Sequence, residues 1–291
     1  MTTTTARGDT LRDFSTLIKP SITLQVMITT AGGLWMAPGD LGWLALVAAL
    51  IGTVFIVASA NTLNCYLERD SDRFMARTAN RPLPAGRMDP KTALRFGTVL
   101  ALLAIPMLTF VNPVTGLLAA LALVSYVWVY TPMKQLSPHA VIVGAIPGAM
   151  PPLMGWTAVT GRVEWPGVVL FGILFLWQMP HFIAISVYRQ EEYDRAGIYT
   201  VPSVFGVRAA RWHMIFWTAL LVPTSLLLVP LGVAGWIYAT IAGALGLGFA
   251  WWVLKGLRTK DTVKWARSFF LYTLVYLTVL FAAILVDAGP W

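Results

Sequence analysis

The chain has 291 residues, 57% of them hydrophobic and only 12% charged, at a mean hydropathy of +0.70, whereas a soluble domain carries about 25% charged residues. That balance excludes an ordinary soluble enzyme and predicts an all-α polytopic membrane protein, since a span needs roughly 20 apolar residues and must satisfy its own backbone in lipid. The net charge of +8 and pI near 9.8 suit nucleic acid, but sorting of basic residues to one membrane face accounts for them, so no nucleic-acid partner is expected.

In chain order, residues 1–20 form a polar segment without the apolar core of a secretory signal. Apolar stretches follow at 21–37, 42–63, 93–111, 114–131, 139–158, 167–188, 210–229, 233–254 and 268–287, which predicts nine spans in one domain over 1–291. Pro106, Pro147, Pro151, Pro152 and Pro180 fall inside these stretches and are expected to kink or shorten helices, as membrane helices tolerate. With the N-terminus inside, every one of the 21 Lys and Arg residues except Arg162 falls in a cytoplasmic segment. Gly32, Gly33, Gly144, Gly148 and Gly155 are expected at close helix crossings. The lone Cys65 has no intramolecular disulfide partner and sits among apolar residues, as an inert thiol does.

Two charged clusters interrupt the apolar pattern. Behind the second span, NCYLERDSDRFMARTANRPLP (64–84) combines three acids with four arginines. Asn64, Glu68 and Asp72 stand at i, i+4 and i+8, which on a helix is an arc of roughly 80°. Three oxygen ligands on one face suit Mg²⁺, which prefers hard oxygens and keeps positions for water and phosphate. Asp70 falls on another face and ranks below them. The plainer reading is that these acids pair with Arg69, Arg73 and Arg77 in a solvated loop. A second cluster, YRQEEYDRAG (188–197), on the same side weakens that reading. Two acidic patches with arginines could hold a diphosphate between metal ions, because arginine matches phosphate with a bidentate fork. No phosphate-binding glycine loop or zinc spacing is present.

The pattern of Asn64, Glu68 and Asp72, followed by Arg77, Thr78, Arg81, Pro82, Leu83 and Pro84, resembles the first signature of the UbiA superfamily of intramembrane prenyltransferases, with Glu68 where Asp is usual. Within it, YTPMKQ (130–135), GAMPPLMGWTAVTG (148–161), LWQMPHF (176–182) and YRQEEYDRAGI resemble the protohaem IX farnesyltransferases. The chain departs from that group at Gln135, where a second cation is common. In the second cluster Arg189 replaces an acid of the quinone-type relatives, and Glu192 is the matching carboxylate, with Glu191 and Asp194 ranked below it.

The resemblance implies a UbiA-type bundle that joins farnesyl diphosphate, protohaem IX (haem B) and water to give haem O and diphosphate. It implies Mg²⁺ on Asn64, Glu68, Asp72 and Glu192, with Arg77, Arg81, Lys134 and Arg189 clamping the diphosphate. A bacterial inner membrane, or a mitochondrial one, follows, with the site facing the cytoplasm and a haem-pathway enzyme or oxidase as the partner class. His181 reads either as an axial haem ligand or as a hydrogen bond to a neighbouring helix. Gln178 reads either as a propionate contact or as an interhelical bond. Tyr66, Trp177, Phe182 and Tyr188 are candidates to face an allylic cation, or else packing residues. Two alternatives remain: a relative acting on a quinone precursor or chlorin, and an ion-coupled transporter, whose acids should lie near the bilayer midplane.

Overall fold

The computed structural model describes residues 7–287. An N-terminal helix α1 (Arg7–Ile18) leads through Lys19 into α2 (Pro20–Met36) and α3 (Trp43–Leu67). A loop containing one 3₁₀ turn (Ser71–Phe74) precedes α4 (Pro90–Val111) and α5 (Pro113–Val124), which continues as a π-helical segment (Ser125–Tyr130) into the single turn α6 (Thr131–Met133). Then come α7 (Ala140–Thr160), α8 (Trp165–Tyr188), the short α9 (Gln190–Arg195), α10 (Val201–Leu226), α11 (Trp236–Lys255) and α12 (Thr262–Asp287).

Seven helical stretches, α3, α4, α5 through α6, α7, α8, α11 and α12, are long and apolar enough to cross a membrane. The nine apolar stretches of the sequence all become helix, yet two fall short of that standard. Helix α2 has 17 residues, about 26 Å at 1.5 Å per residue against a hydrocarbon core of about 30 Å. Helix α10 carries Arg208 and Arg211 near its start and breaks at Gly206, whose φ of 79° is open to glycine. The prolines do not shorten the spans: Pro106, Pro147, Pro151, Pro152 and Pro180 lie inside continuous helices.

Helix crossings explain the glycines. A Cβ on Gly33 would run into the backbone carbonyl of Pro152, and one on Gly155 into the carbonyl of Thr30. Helices α2 and α7 therefore touch backbone to backbone, as small residues permit. Gly144 makes room for the ring of Tyr130, and Gly148 for the amide of Gln178.

The largest apolar core joins α7, α8, α10, α11 and α12, and a second joins α3, α4 and α5 with Met154 of α7. A third, smaller cluster of Leu17, Cys65, Leu83, Met88 and Ala93 pins α1 and the 68–89 loop beneath the end of α3. Cys65 is fully buried there, as its neighbourhood predicts. The Arg87–Asp13 pair at 3.1 Å ties the same loop to α1. These contacts hold the charged loop against the end of the bundle where the basic residues gather.

Candidate active site

Helix α3 stops at Leu67, so Glu68 and Asp72 do not continue its face as the i, i+4, i+8 spacing suggests. Glu68 is the C-terminal cap and Asp72 lies in the 3₁₀ turn. Side chains bond the carbonyls at this end: Arg69 Nη1 donates to the Tyr66 carbonyl at 2.7 Å, and Ser71 Oγ shares the Glu68 carbonyl at 3.1 Å. The one-turn spacing nevertheless survives in the backbone, because the Glu68 N–H bonds the Asn64 carbonyl and the Asp72 N–H bonds that of Glu68. All three side chains line a single cavity of about 250 Å³.

Each of these three oxygen donors meets a basic group. Lys19 Nζ donates to Asn64 Oδ1 at 3.1 Å, Lys134 Nζ to Glu68 Oε1 at 2.7 Å, and Arg81 Nη1 to Asp72 Oδ2 at 2.7 Å. Asp72 is 1% exposed, so its pairing with Arg81 is what makes a buried carboxylate tolerable. The Asn64 amide is oriented by two bonds, since its Nδ2 donates to Thr131 Oγ1 at 3.1 Å while its oxygen faces Lys19. The 2.7 Å bond from Thr78 Oγ1 to the Asp72 carbonyl closes the loop behind the site.

Electrostatics follow the burial. Desolvation pushes the Lys19 ammonium below its ordinary pKa, and the Arg81 and Lys134 charges push the same way. Burial alone would raise Glu68, but the charge and hydrogen bond of Lys134 outweigh it and hold the carboxyl below the usual range. Burial would lower Lys134, but Glu68 helps to hold it above its ordinary value. Both partners thus favour the ionised pair.

The π-helical segment shapes the wall. Such wide turns are rare and recur at functional sites, and here Tyr126 and Tyr130 both reach the cavity, their ring centroids 5.4 Å apart. Lys134 lies 4.5 Å over the Tyr130 ring. Arg77 lines the same cavity and makes no ion pair among the described residues. From the other side Tyr193 of α9 closes it, and the Tyr199 N–H bonds the Lys134 carbonyl.

Most of the remaining sequence candidates lie outside this lining. Asp70 is 69% exposed and pairs with Arg69 and Arg73, as the plainer loop reading has it. Glu192 pairs with Arg189 at 2.8 Å, and Glu191 and Asp194 are exposed. Gln178 Nε2 donates to the carbonyls of Ala145 and Leu174, the interhelical alternative. His181 is stacked on Trp177 at 4.5 Å and bonded through Nδ1 to Thr273 Oγ1 at 2.7 Å. The Thr273 hydroxyl donates to the Phe270 carbonyl, so Nδ1 carries the ring proton, and the bond to α12 fits the neighbouring-helix alternative. Of the four aromatic candidates only Phe182 lines the cavity. Tyr66 packs under the loop, Trp177 donates to the Thr273 carbonyl, and Tyr188 lies beside Arg189.

Sequence reasoning missed Lys19, Tyr126, Tyr130 and Tyr193. Lys19 had one local signal, a lone cation directly before the proline that opens a span. It adopts φ 51°, the left-handed region, and among the described residues it is the one non-glycine to do so. The residue before proline normally avoids helical conformations. Its ammonium is held at Asn64 at the cost of backbone strain.

The chain has matches among known proteins. The description "UbiA prenyltransferase family" matches residues 26–275. The chain belongs to the UbiA prenyltransferase family. A protein named protoheme IX farnesyltransferase from Anaeromyxobacter dehalogenans is 52% identical over 98% of this chain and 99% of its own length. A solved digeranylgeranylglyceryl phosphate synthase structure superposes with a TM-score of 0.83 at 19% identity, covering 96% of this chain and 99% of its own. A UbiA homologue from Archaeoglobus fulgidus, bound to GPP and Mg²⁺, gives 0.69 at 18% identity over 94% and 99%. These two likenesses establish the family's fold.

The donor set fits a magnesium ion that is only partly held by protein. Among the described residues no three His, Cys, Asp or Glu side chains converge on one point. The cavity offers two carboxylates and one amide oxygen, and Mg²⁺ characteristically takes one or two carboxylates and fills its remaining positions with water and phosphate.

Proposed function

We propose that this enzyme transfers the farnesyl group of farnesyl diphosphate to a vinyl group of haem B with addition of water, giving haem O and diphosphate. One observation carries the reading at the site: Asn64, Glu68 and Asp72 share a single cavity with Lys19, Arg77, Arg81 and Lys134. That is a site for an oxygen-liganded cation and a polyanion together. The acceptor rests on the likeness to proteins named protoheme IX farnesyltransferase.

In this mechanism Asn64, Glu68 and Asp72 would hold Mg²⁺, with Glu192, next to Tyr193 and paired with Arg189 in this structure, as the proposed fourth ligand. Bound there, Mg²⁺ would supply neutralising charge to the departing diphosphate. Lys134 and Arg81 then turn from Glu68 and Asp72, and Lys19 from the Asn64 amide, to phosphate oxygens, with Arg77 and Arg189 clamping from the mouth. Placing preorganised cations where charge develops is where electrostatic catalysis gains most. The C1–O bond breaks and its electron pair leaves with diphosphate. The terminal vinyl carbon bonds C1, water adds as hydroxyl to the adjacent carbon, and its second proton is released. The faces of Tyr126 and Tyr130 flank the allylic cation, each contributing about 0.5–2 kcal/mol. The buried wall keeps water from quenching it early.

The cavity is lined by Arg77 and Arg81 of one basic loop and by Lys134 of another, which supports a site facing the cytoplasm of a bacterial inner membrane. A haem-pathway enzyme or oxidase supplies or receives its haem. The test is mass spectrometry of haems extracted after membranes carrying the protein are incubated with haem B, farnesyl diphosphate and Mg²⁺. A haem heavier by a farnesyl group and water is expected. Consumption of farnesyl diphosphate onto a quinone precursor, with haem unchanged, refutes the acceptor.

A further inference from the structure

Adjoining the charged cavity is a second chamber, almost wholly apolar, between α2, α3, α5 and α7. Ile22 and Tyr126 are common to both linings, so the chamber begins where the diphosphate site ends. From there it runs away from the charged loop. On α3 its lining passes from Asn61 through Ala60, Val57 and Ile56 to Thr53. Thr53 lies eleven residues before Asn64, roughly 16 Å along the helix axis at 1.5 Å per residue. On α7 it reaches Met154, whereas the charged cavity is lined by Ala140 at the start of that helix. The far end is walled by buried side chains, with Met154 at 3% exposure packed on Ile56 and Leu123 in the α3–α4–α5 core.

We propose that this chamber gauges the length of the prenyl donor, with Met154 as its end stop. The proposal rests on the prenyl-transfer reading above. An isoprenoid tail is apolar and gains from leaving water, and a chain anchored by its diphosphate beside Asn64, Glu68 and Asp72 enters past Tyr126 head first into the charged cavity. Its distal units then lie along α3 toward Thr53. A chain that fits ends against Met154, a longer one must displace that side chain from a packed core, and a shorter one leaves the wall uncovered. Met154→Ala removes the stop. Ala60→Leu, one turn from Asn64, shortens the chamber from the near side without creating a cavity.

The test is a competition on the full-length protein with Mg²⁺ present. Bound radiolabelled farnesyl thiolodiphosphate, which does not react, is displaced by its geranyl, farnesyl and geranylgeranyl counterparts. The wild type is expected to rank farnesyl first. Met154→Ala should raise geranylgeranyl relative to farnesyl about tenfold or more, and Ala60→Leu should raise geranyl relative to farnesyl by a similar factor, the size expected when a pocket gains or loses room for small apolar groups. Both folded variants keeping the wild-type ranking, or a wild type that ranks all three equally, overturns the gauge. Because the readout is binding, a failure to modify haem counts against the acceptor assignment and leaves the ranking legible.

Discussion

Replacing Lys19 with methionine keeps most of the side chain's length and deletes one buried charge. The ammonium sits 3.1 Å from Asn64 Oδ1 and lines the cavity with Arg81 and Lys134, so on diphosphate binding it has a phosphate oxygen within reach. A hydrogen bond to a charged group is worth about 1.5–3 kcal/mol, which at about 1.4 kcal/mol per tenfold amounts to a loss of roughly 10- to 150-fold in kcat/KM. Folded stability should change little, because removal of a desolvated cation offsets the Asn64 oxygen left without its donor. The wild-type pH dependence supplies a second signature. Burial lowers the Lys19 pKa, so its cation is present below that lowered pKa and is lost as pH rises through it. Diphosphate affinity, measured as competitive inhibition, should therefore weaken at a pH below the ordinary lysine range, and Lys19→Met should abolish that limb. A change of less than threefold in kcat/KM, together with an unaltered alkaline limb of diphosphate inhibition, would refute the role given to Lys19.

Glu68 is held ionised by Lys134 despite burial. Its contribution is present above the unfolded pKa and lost as pH falls through the depressed folded value, so the acid limb of activity should lie below the ordinary glutamate range. In Lys134→Met a pH–rate profile should show that limb moved upward. Asp72→Asn should lower turnover by a factor of about 1,000 or more, the order seen when a key electrostatic group is removed, with helical content by circular dichroism unchanged. The shape-conserving amide is the informative choice, since a truncation would strand Arg81 beside a void and cost about 3–5 kcal/mol of stability. Glu192→Gln discriminates the second cluster: a loss of about 100-fold or more in kcat, with a matching rise in the Mg²⁺ concentration for half-maximal rate, is expected of a ligand. A change under threefold would assign Glu192 to its surface pair with Arg189.

The spans were legible because a bilayer demands about 20 apolar residues whatever the tertiary context, and every predicted stretch became helix. What periodicity misjudged was the end of α3. Nothing in the one-turn spacing of Asn64, Glu68 and Asp72 reveals that the helix gives way after Leu67, yet the three side chains still line one cavity because the loop is held back under Thr78 and Leu83. Lys19 was out of reach for a different reason. Its partner Asn64 lies 45 residues away, and a cation at a membrane edge already has a sufficient explanation in topology. The π-helical turn that presents Tyr126 and Tyr130 depends on a hydrogen-bond register that composition does not encode. The second acidic cluster was weighted for its repetition, whereas its three-residue spacing on a short helix brings Arg189 to Glu192.

The backbone contact of α2 with α7 at Gly33 and Gly155 acts as a fulcrum. Neither helix can slide past the other there without a carbonyl striking a Cα, so a movement of α2 against α7 would have to pivot at that contact. Lys19 stands fourteen residues from Gly33, a lever arm of roughly 20 Å at 1.5 Å per residue, and a tilt of about 6° carries its ammonium by about 2 Å. A swing of that size is enough to break the bond to Asn64. Ile22, which lines both chambers, stands on the same arm, so such a tilt would change the polar and apolar chambers together.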